Sequence, residues 1–312
     1  MKNTQEQIKE IFNTHFPKYA DHLDFIDKLG CADPNGMCWK FNKNRRTIYQ
    51  FLPLPLPKSP AEFIFICKEP STPWARGTSD AYDKVIKKQY MNFISGERKN
   101  NKLDIMITAF RNVFMDKSIF ITDMSKCAID TNVADDFGFK DNLSHRYICC
   151  SPYLQWELKK LAVDNPAIFL VGRNYFFAEW FRRKYPEMKN DGLNDITCFN
   201  KFLVDVVRLK VDDQKITMLP HYSIRFSCPE YILRMLKSDK VGIQKEIKDG
   251  LSDLYQYYLD NFILTKNTTE RIIRSINESI DAESNKELSD SIILLYLLYK
   301  NEFELVKKSM ES

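Results

Sequence analysis

Four groups of polar residues in this 312-residue chain follow short apolar runs, and they are the residues best placed to do chemistry. The four groups are Glu69 after the run 61–67, Asp123 at the end of the run 118–123, Gly172 to Asn174 after the run 167–171, and His221 to Arg225 after the run 216–219. Each also has an ordinary explanation. Glu69 precedes a proline as a solvated turn residue would, and Asp123 is a residue type that caps helices.

The four apolar runs are typical of buried strands, and helical segments separate them. Helices are predicted at 103–115, at 150–163, and around Phe176, Phe177 and Trp180. This alternation predicts an α/β fold with a mostly parallel four-stranded sheet sandwiched by helices. Ligands bind beyond the carboxyl ends of the strands in such sheets, so the four polar groups are expected at one edge.

The two ends of the chain have only helical spacing. Residues 4–28 predict two helices separated at Pro17. From about residue 239 the predicted helices are 241–264, 268–281 and 284–310. We therefore predict an α/β domain over 1–238 and a helical C-terminal extension over 239–312, and we expect 1–238 to fold without the extension. The outer side of the extension either meets a protein partner or packs back onto the domain.

Composition limits the function classes. The net charge of +4 permits binding to a polyanion without requiring it, and only 9 Gly argue against a glycine-rich phosphate loop. The N-terminus has no apolar signal segment, and the longest strongly apolar run, 292–299, is too short to cross a bilayer. We therefore expect a cytoplasmic protein without a membrane partner. Its eight Cys are then free thiols or metal ligands in preference to disulfides.

Four segments resemble the motifs of the uracil-DNA glycosylase superfamily, in the same order, across residues 61–235. FIFICKEPS resembles the first motif, a strand followed by G-x-x-P-x, and MLPHYSIR resembles the final H-P-S loop. SIFITDMSKCAI and CSPYLQWELKKLAVDNPAIFLVGRNYF resemble two segments of the iron–sulfur members, I-T-N-V-V-K-C-R-P and C-x-P-Y-L-x-x-Q with its following strand. The resemblance implies a four-stranded sheet between helices, with the active site at one end of the sheet.

The resemblance also implies an activity, namely hydrolysis of the N-glycosidic bond of uracil or a related deaminated base that is flipped out of DNA, in base-excision repair. Glu69 would orient water and offset positive charge on the sugar, and His221 would donate a hydrogen bond to the departing base. Asp123 lies where the family has an Asn that reads the base edge. Ser223 would bind a DNA phosphate, and Arg225, a basic residue just after the His221 loop, is a further candidate for DNA contact. Outside the motifs, Trp74 and Tyr82 would stack on the base or serve as packing residues.

Several positions depart from the family pattern. Cys67 replaces the usual Gly of the first motif, Lys68 lies where the iron–sulfur members have Glu, and Tyr222 replaces the usual Pro of the last loop. At position 123 an Asn amide would both donate and accept, whereas an ionised Asp only accepts and would repel O4 of uracil. The alternatives are that uracil is read through backbone groups, that another base is preferred, or that the site is inactive.

The iron–sulfur members hold a [4Fe–4S] cluster with four Cys, and Cys31, Cys38, Cys127 and Cys150 occupy comparable places here. Six residues separate Cys31 from Cys38, where the family has two, and Cys149 offers a competing thiol. The alternative is that all eight Cys are free thiols. Cys67, Cys198 and Cys228 are predicted to lie in the core.

DNA, single- or double-stranded, is the expected partner, and three basic stretches are candidates for phosphate contacts: Lys40 to Arg46, Arg98 to Lys102, and Arg182 to Lys184. Two other functions compete with the glycosylase. One is a catalytically inactive protein of the same fold that binds nucleic acid or a partner. The other is a hydrolase of free nucleosides or nucleotides, which would act on free nucleosides and show no salt-dependent binding to DNA.

Overall fold

The structure is a computed structural model that describes residues 48–49, 59–67, 102–124, 127–128, 139–172, 195–220, 229–261 and 266–312. The chain forms two compact units, each assembled from two stretches of sequence. The first unit comprises 1–91 and 118–218, and the second comprises 92–117 and 219–312.

Six strands lie in the described residues: β1 (Ile48–Tyr49), β2 (Ala61–Cys67), β3 (Ile119–Asp123), β4 (Cys127–Ala128), β5 (Ala162–Val171) and β6 (Ile216–Leu219). Four of them form a parallel sheet in the order β3-β2-β5-β6, and β1 pairs antiparallel with β4. The α/β class with a parallel four-stranded sheet is therefore confirmed. Strands β2, β3 and β6 match their predicted apolar runs closely and β5 contains its run, because strands buried on both faces lack polar alternation.

The described helices are α1 (Lys102–Phe114), α2 (Phe139–Leu161), α3 (Asp195–Phe202), α4 (Glu230–Asn261), α5 (Lys266–Ile280) and α6 (Lys286–Glu311). A π-helical turn, Leu203–Val207, extends α3. Short 3-10 turns precede β6 and α6, at Asp213–Lys215 and Glu283–Asn285. None of the helices in these ranges is long and apolar enough to cross a membrane.

Both faces of the sheet are buried. One face packs against α2, α3 and the π-helical turn, through Ile64, Ile66, Phe120, Ile168 and Leu170 of the strands and Leu154, Leu158, Phe199, Phe202 and Leu203 of the helices. The other face carries aromatic rings at neighbouring positions of β2 and β5. Phe169 lies 5.8 Å from Phe63 and 4.9 Å from Phe65, between ring centroids.

The junction of α2 and β5 differs from the prediction. Pairing with β2 already starts at Ala162, directly after the helix, so the predicted strand starts five residues too late, at 167 instead of 162. The predicted helix 150–163 is wrong at both ends, because the helix spans Phe139–Leu161. The register jumps from Ala61↔Ala162 to Phe63↔Ala167, and Asn165, at φ 56°, lies in the bulge between the two pairs. Regular pairing begins at Ala167, where the apolar run begins.

The second unit combines α1 with the three C-terminal helices. Helix α1 is buried around most of its circumference, from Asp104 through Phe110. Phe303 of α6 packs edge-on against Phe110 at 5.4 Å, and Asn112 donates a hydrogen bond to the Tyr296 hydroxyl at 2.7 Å. These contacts place a helix that lies between β2 and β3 in sequence into the C-terminal helical unit.

Burial strongly raises the pKa of two tyrosines in this unit. Burial raises the pKa of the Tyr257 phenol well above its usual range, and the Arg111 guanidinium, 5.3 Å from the ring centroid, partly opposes the rise. Burial also raises the pKa of Tyr296, and the hydrogen bond from its hydroxyl to Glu246 raises it further. Both phenols therefore stay neutral at physiological pH.

Helix α4 contains a cap within its length. Asp239 has non-helical backbone angles, and its carboxylate accepts a hydrogen bond from the Gly242 N–H at 3.1 Å. A Cβ at position 242 would lie 2.4 Å from that carboxylate, so glycine allows the close approach. The cap explains the change in pattern near residue 239. The domain division at 238/239 stays a prediction, and the predicted helices at 4–28 and around Phe176 lie outside the described residues.

Candidate active site

The order of the described strands predicts where a ligand-binding crevice would lie. The chain leaves β2 toward β3 on one side of the sheet and leaves β5 toward β6 on the other side. Strands β2 and β5 are neighbours, so the connections that leave their carboxyl ends diverge. Ligands of open parallel sheets bind at such a switch point. The carboxyl ends of β2 and β5 are therefore the first place to look for a site.

Three strands end level with one another at this place. Cys67 at the end of β2 is in register with Asp123 of β3 on one side and with Val171 of β5 on the other. Residues in register on parallel strands point to the same face of a sheet. Asp123 is half-buried, whereas Cys67 and Val171 are buried. The Asp123 carboxylate is therefore the polar group that the three level strand ends present on that face.

The backbone on either side of Asp123 is held in place. Before it, the Thr122 hydroxyl donates a hydrogen bond of 2.6 Å to the Glu157 carboxylate of α2. After it, the Met124 N–H donates to the Cys67 carbonyl at 2.7 Å. Thr122 and Met124 are both buried. Asp123 thus lies at a strand end that is held by a hydrogen bond on each side, at Thr122 and at Met124.

The exit of β5 depends on glycine. Gly172 directly follows Val171 and has φ 137°, a backbone conformation that other residues rarely adopt. Glycine adopts this conformation at the exit of β5 without the strain that a side chain would cause. A glycine at this exit was predicted as part of the site.

The other predicted site residues lie outside the described residues: Glu69, Trp74, Tyr82, His221, Ser223 and Arg225. In the sequence, Glu69 follows the last residue of β2 by two positions, and His221 follows the last residue of β6 by two. The described strands β2 and β6, which precede them, both end at the edge of the sheet that Asp123 occupies. The basic stretches at 40–46 and 182–184 also lie outside, as do Arg98 and Lys99 of the third.

The structure describes one of the four proposed cluster thiols in full. Cys150 is buried in α2. The next two residues explain how the helix tolerates Pro152: proline has no N–H for the Ile148 carbonyl, and the Ser151 hydroxyl donates to that carbonyl at 2.7 Å.

Cys127 lies in β4, where its backbone is in register with Tyr49 of β1. The positions of Cys31 and Cys38 lie outside the described residues. Among the described side chains, no three His, Cys, Asp or Glu residues are grouped as metal ligands. Cys67 and Cys198 are buried, as predicted for core cysteines, and Cys228 lies outside.

Glu157 is the feature of this region that the sequence prediction missed. Its side chain is fully buried, yet it lies in a helix that was predicted only from its amphipathic spacing. The available signal was its position. Glu157 is seven residues after Cys150 and adjacent to Leu158, so it falls on the apolar face of the helix. An acidic residue on an apolar face indicates a buried partner.

Comparison with known proteins adds no relative. A scan against models of protein families, a search of the curated proteins and a search of the solved structures each find no match to this chain.

Proposed function

We propose that this chain is a DNA glycosylase with a uracil-DNA glycosylase-like fold, which hydrolyses the N-glycosidic bond of a deaminated base in base-excision repair. One observation carries the proposal. The four segments that resemble the superfamily motifs coincide, in order, with the exits of the four strands of one parallel sheet. Three of those strands end in register around Cys67, beside the switch point.

The proposed chemistry requires the target nucleotide to leave the base stack and enter the crevice. As the glycosidic bond breaks, the sugar gains positive charge and the base gains negative charge. In the proposal, the Glu69 carboxylate orients the attacking water and offsets the charge on the sugar. His221 donates a hydrogen bond to a carbonyl oxygen of the departing base. Asp123 faces the edge of that base from the end of β3.

The charge distribution supports DNA as the partner of the first part of the chain. Residues 1–228 contain 34 Lys and Arg against 27 Asp and Glu, whereas residues 229–312 contain 12 against 15. The basic excess therefore lies in the part that carries the four motifs. In the proposal, Ser223, Arg225 and the basic stretches contact phosphates, so DNA affinity should fall steeply with added salt.

The test is release of the base from DNA by the wild-type protein. End-labelled single- and double-stranded oligonucleotides would carry uracil, hypoxanthine, xanthine or a mismatched thymine, and alkali would cleave at each abasic site. Free nucleosides of the same bases would be assayed in parallel. Release from an oligonucleotide supports the glycosylase, whereas release from nucleosides alone supports a nucleoside hydrolase.

A second function is favoured by one observation, the carboxylate at position 123 beside the buried Cys67. The Asp123 carboxylate, in place of an amide, repels the O4 of uracil. The Cys67 side chain, in place of the hydrogen of glycine, takes up space beside Asp123. Both changes suit an inactive protein of the same fold that binds nucleic acid or a protein partner. Salt-dependent DNA binding without release of any base would select this function.

Asp123→Asn is expected to favour uracil. The amide can donate to O4 and accept from N3–H, so we expect the ratio of kcat/KM for uracil over the other bases to rise by about tenfold or more. Single-turnover rates on matched oligonucleotides measure that ratio. Asp123→Ala is the control, because it removes the repulsion without supplying the donor. An unchanged ratio in Asp123→Asn would show that Asp123 does not face the base.

We also propose that Cys31, Cys38, Cys127 and Cys150 hold a [4Fe–4S] cluster, whose role is to hold the N-terminal segment against the domain. The pairing of β1 with β4 supports this proposal, since it sets Tyr49, eleven residues after Cys38, in register with Cys127. The burial of Cys150 fits a thiolate ligand shielded from water. These thiols require a reducing compartment, for which we propose the cytoplasm.

Anaerobically purified protein is expected to contain about four iron atoms per chain and to show a broad visible absorption that reductant bleaches. Cys150→Ser should lose most of the iron. Cys198→Ser is the matched control, since Cys198 is equally buried but has no counterpart among the cluster ligands. Iron analysis and absorption spectra measure the outcome. A colourless, iron-free wild-type protein after anaerobic purification would rule out the cluster.

A further inference from the structure

A buried carboxylate lies directly behind the strand end that carries Asp123. Glu157 of α2 is 0% exposed and Thr122 of β3 is 4% exposed, and the Thr122 hydroxyl donates to Glu157 Oε2 at 2.6 Å. An acidic group in a core is costly to desolvate, and an apolar residue of similar size would fill the same volume without that cost. The pair is therefore poorly explained as a simple contribution to stability.

The bond acts on the residue next to Asp123. Successive side chains of a strand point to opposite faces, so Thr122 points toward α2 while Asp123 points to the other face. The hydrogen bond from Thr122 to Glu157 fixes the backbone of β3 relative to α2. It thereby sets the position of the Asp123 side chain on the opposite face. The Met124 N–H, bonded to the Cys67 carbonyl, restrains the backbone on the other side of Asp123.

We propose that Glu157 is a positioning residue for base recognition, which acts through its hydrogen bond to Thr122 to set the orientation of Asp123 toward the edge of the flipped base. This inference rests on the proposed glycosylase function. Glu157 itself does not touch the base, because its side chain has no exposed surface.

Base preference is the readout that separates positioning from stability. A residue that only stabilises the fold changes the amount of folded protein, which scales the release of all bases equally. A residue that orients Asp123 changes the ratio of kcat/KM between the best base and the next best. A displacement of about 1 Å at a recognition residue can alter such constants by tenfold or more.

The experiment compares Thr122→Val, which replaces the hydroxyl with a methyl group, with Thr122→Ser, which keeps the hydroxyl. We expect the ratio of kcat/KM between the best base and the next best to fall about tenfold in Thr122→Val. In Thr122→Ser this ratio should stay within about twofold of wild type. Thr108→Val is the matched control. Thr108 is also buried and its hydroxyl also makes a hydrogen bond, to the Asp104 carbonyl, but it lies in α1. Its ratio should stay at the wild-type value.

Glu157 offers a second pair of variants if Thr122→Val does not fold. Glu157→Gln keeps the acceptor and the side-chain length and should keep the ratio. Glu157→Asp withdraws the acceptor by one methylene and should lower the ratio as Thr122→Val does. If the ratio is unchanged in every folded variant that breaks the bond while wild type still releases its base, the positioning function is refuted and the glycosylase stands. If wild type releases no base, both are refuted.

Discussion

A chain that ends at residue 285, without α6, is expected to lose cooperative folding. Helix α6 contributes buried residues along its length, among them Ile293, Tyr296, Tyr299 and Phe303. Each fully buried large side chain is worth about 1.5–3 kcal/mol, so their loss approaches the total stability of a typical domain, about 5–15 kcal/mol. The deletion also uncovers α1, whose Phe110 and Phe114 rings pack against Phe303.

Circular dichroism melts and size-exclusion chromatography would measure the effect. Deletion of 308–312 is the matched control, since those residues are exposed at the end of α6. The single change Phe303→Ala should lower the free energy of unfolding by about 3–5 kcal/mol. Leu305→Ala should change it far less, because Leu305 is 55% exposed. A truncated chain that melts cooperatively near the wild-type temperature would contradict the prediction.

This packing argues against the expectation that residues 1–238 fold without the C-terminal helices. The sequence predicted α1 with nearly correct bounds, since its apolar residues recur at helical spacing. The sequence did not predict which segment packs against α1. Periodicity shows that a face is apolar, but it does not say which distant segment covers that face. Here Asn112 bonds to a residue 184 positions away.

The sheet was predictable for the opposite reason. Its strands are continuous apolar runs that end in polar residues, so both their burial and their exits are visible locally. Where pairing is irregular, the local signal fails. The start of β5 was misplaced because a bulge with Asn165 separates its first pair from the rest. The two-residue pairing of β1 with β4 leaves no periodic pattern at all.

Within the candidate site, the sequence predicted Asp123 but not what holds it. The apolar run 118–123 predicted that Asp123 ends a strand, and the register sets it level with Cys67. The hydrogen bond from Thr122 to Glu157 joins a strand and a helix whose residues are 35 positions apart. The sequence of each segment predicts only a buried strand or an amphipathic helix. A hydrogen bond between two such elements requires their relative placement, which single-sequence patterns do not contain.

His221→Ala is expected to have the largest effect on activity. The imidazole would stabilise charge that develops on the base only as the glycosidic bond breaks, so its removal should raise the barrier without weakening ground-state binding. Loss of one such donor typically costs about 10²–10³ in rate. We therefore expect single-turnover base release to fall by about that factor, while the DNA dissociation constant and its salt dependence stay near wild type.

The matched control is His22→Ala, the same substitution at one of the other three histidines, outside all four motifs. Glu69→Ala should lower the release rate as well, because water would lose its orienting carboxylate and the sugar cation its counter-charge. Three outcomes are distinct. Loss of release with intact DNA binding in both variants assigns them to catalysis, whereas parallel loss of binding assigns them to DNA contacts. If His221→Ala releases the base at the wild-type rate, His221 does not donate the hydrogen bond to the departing base.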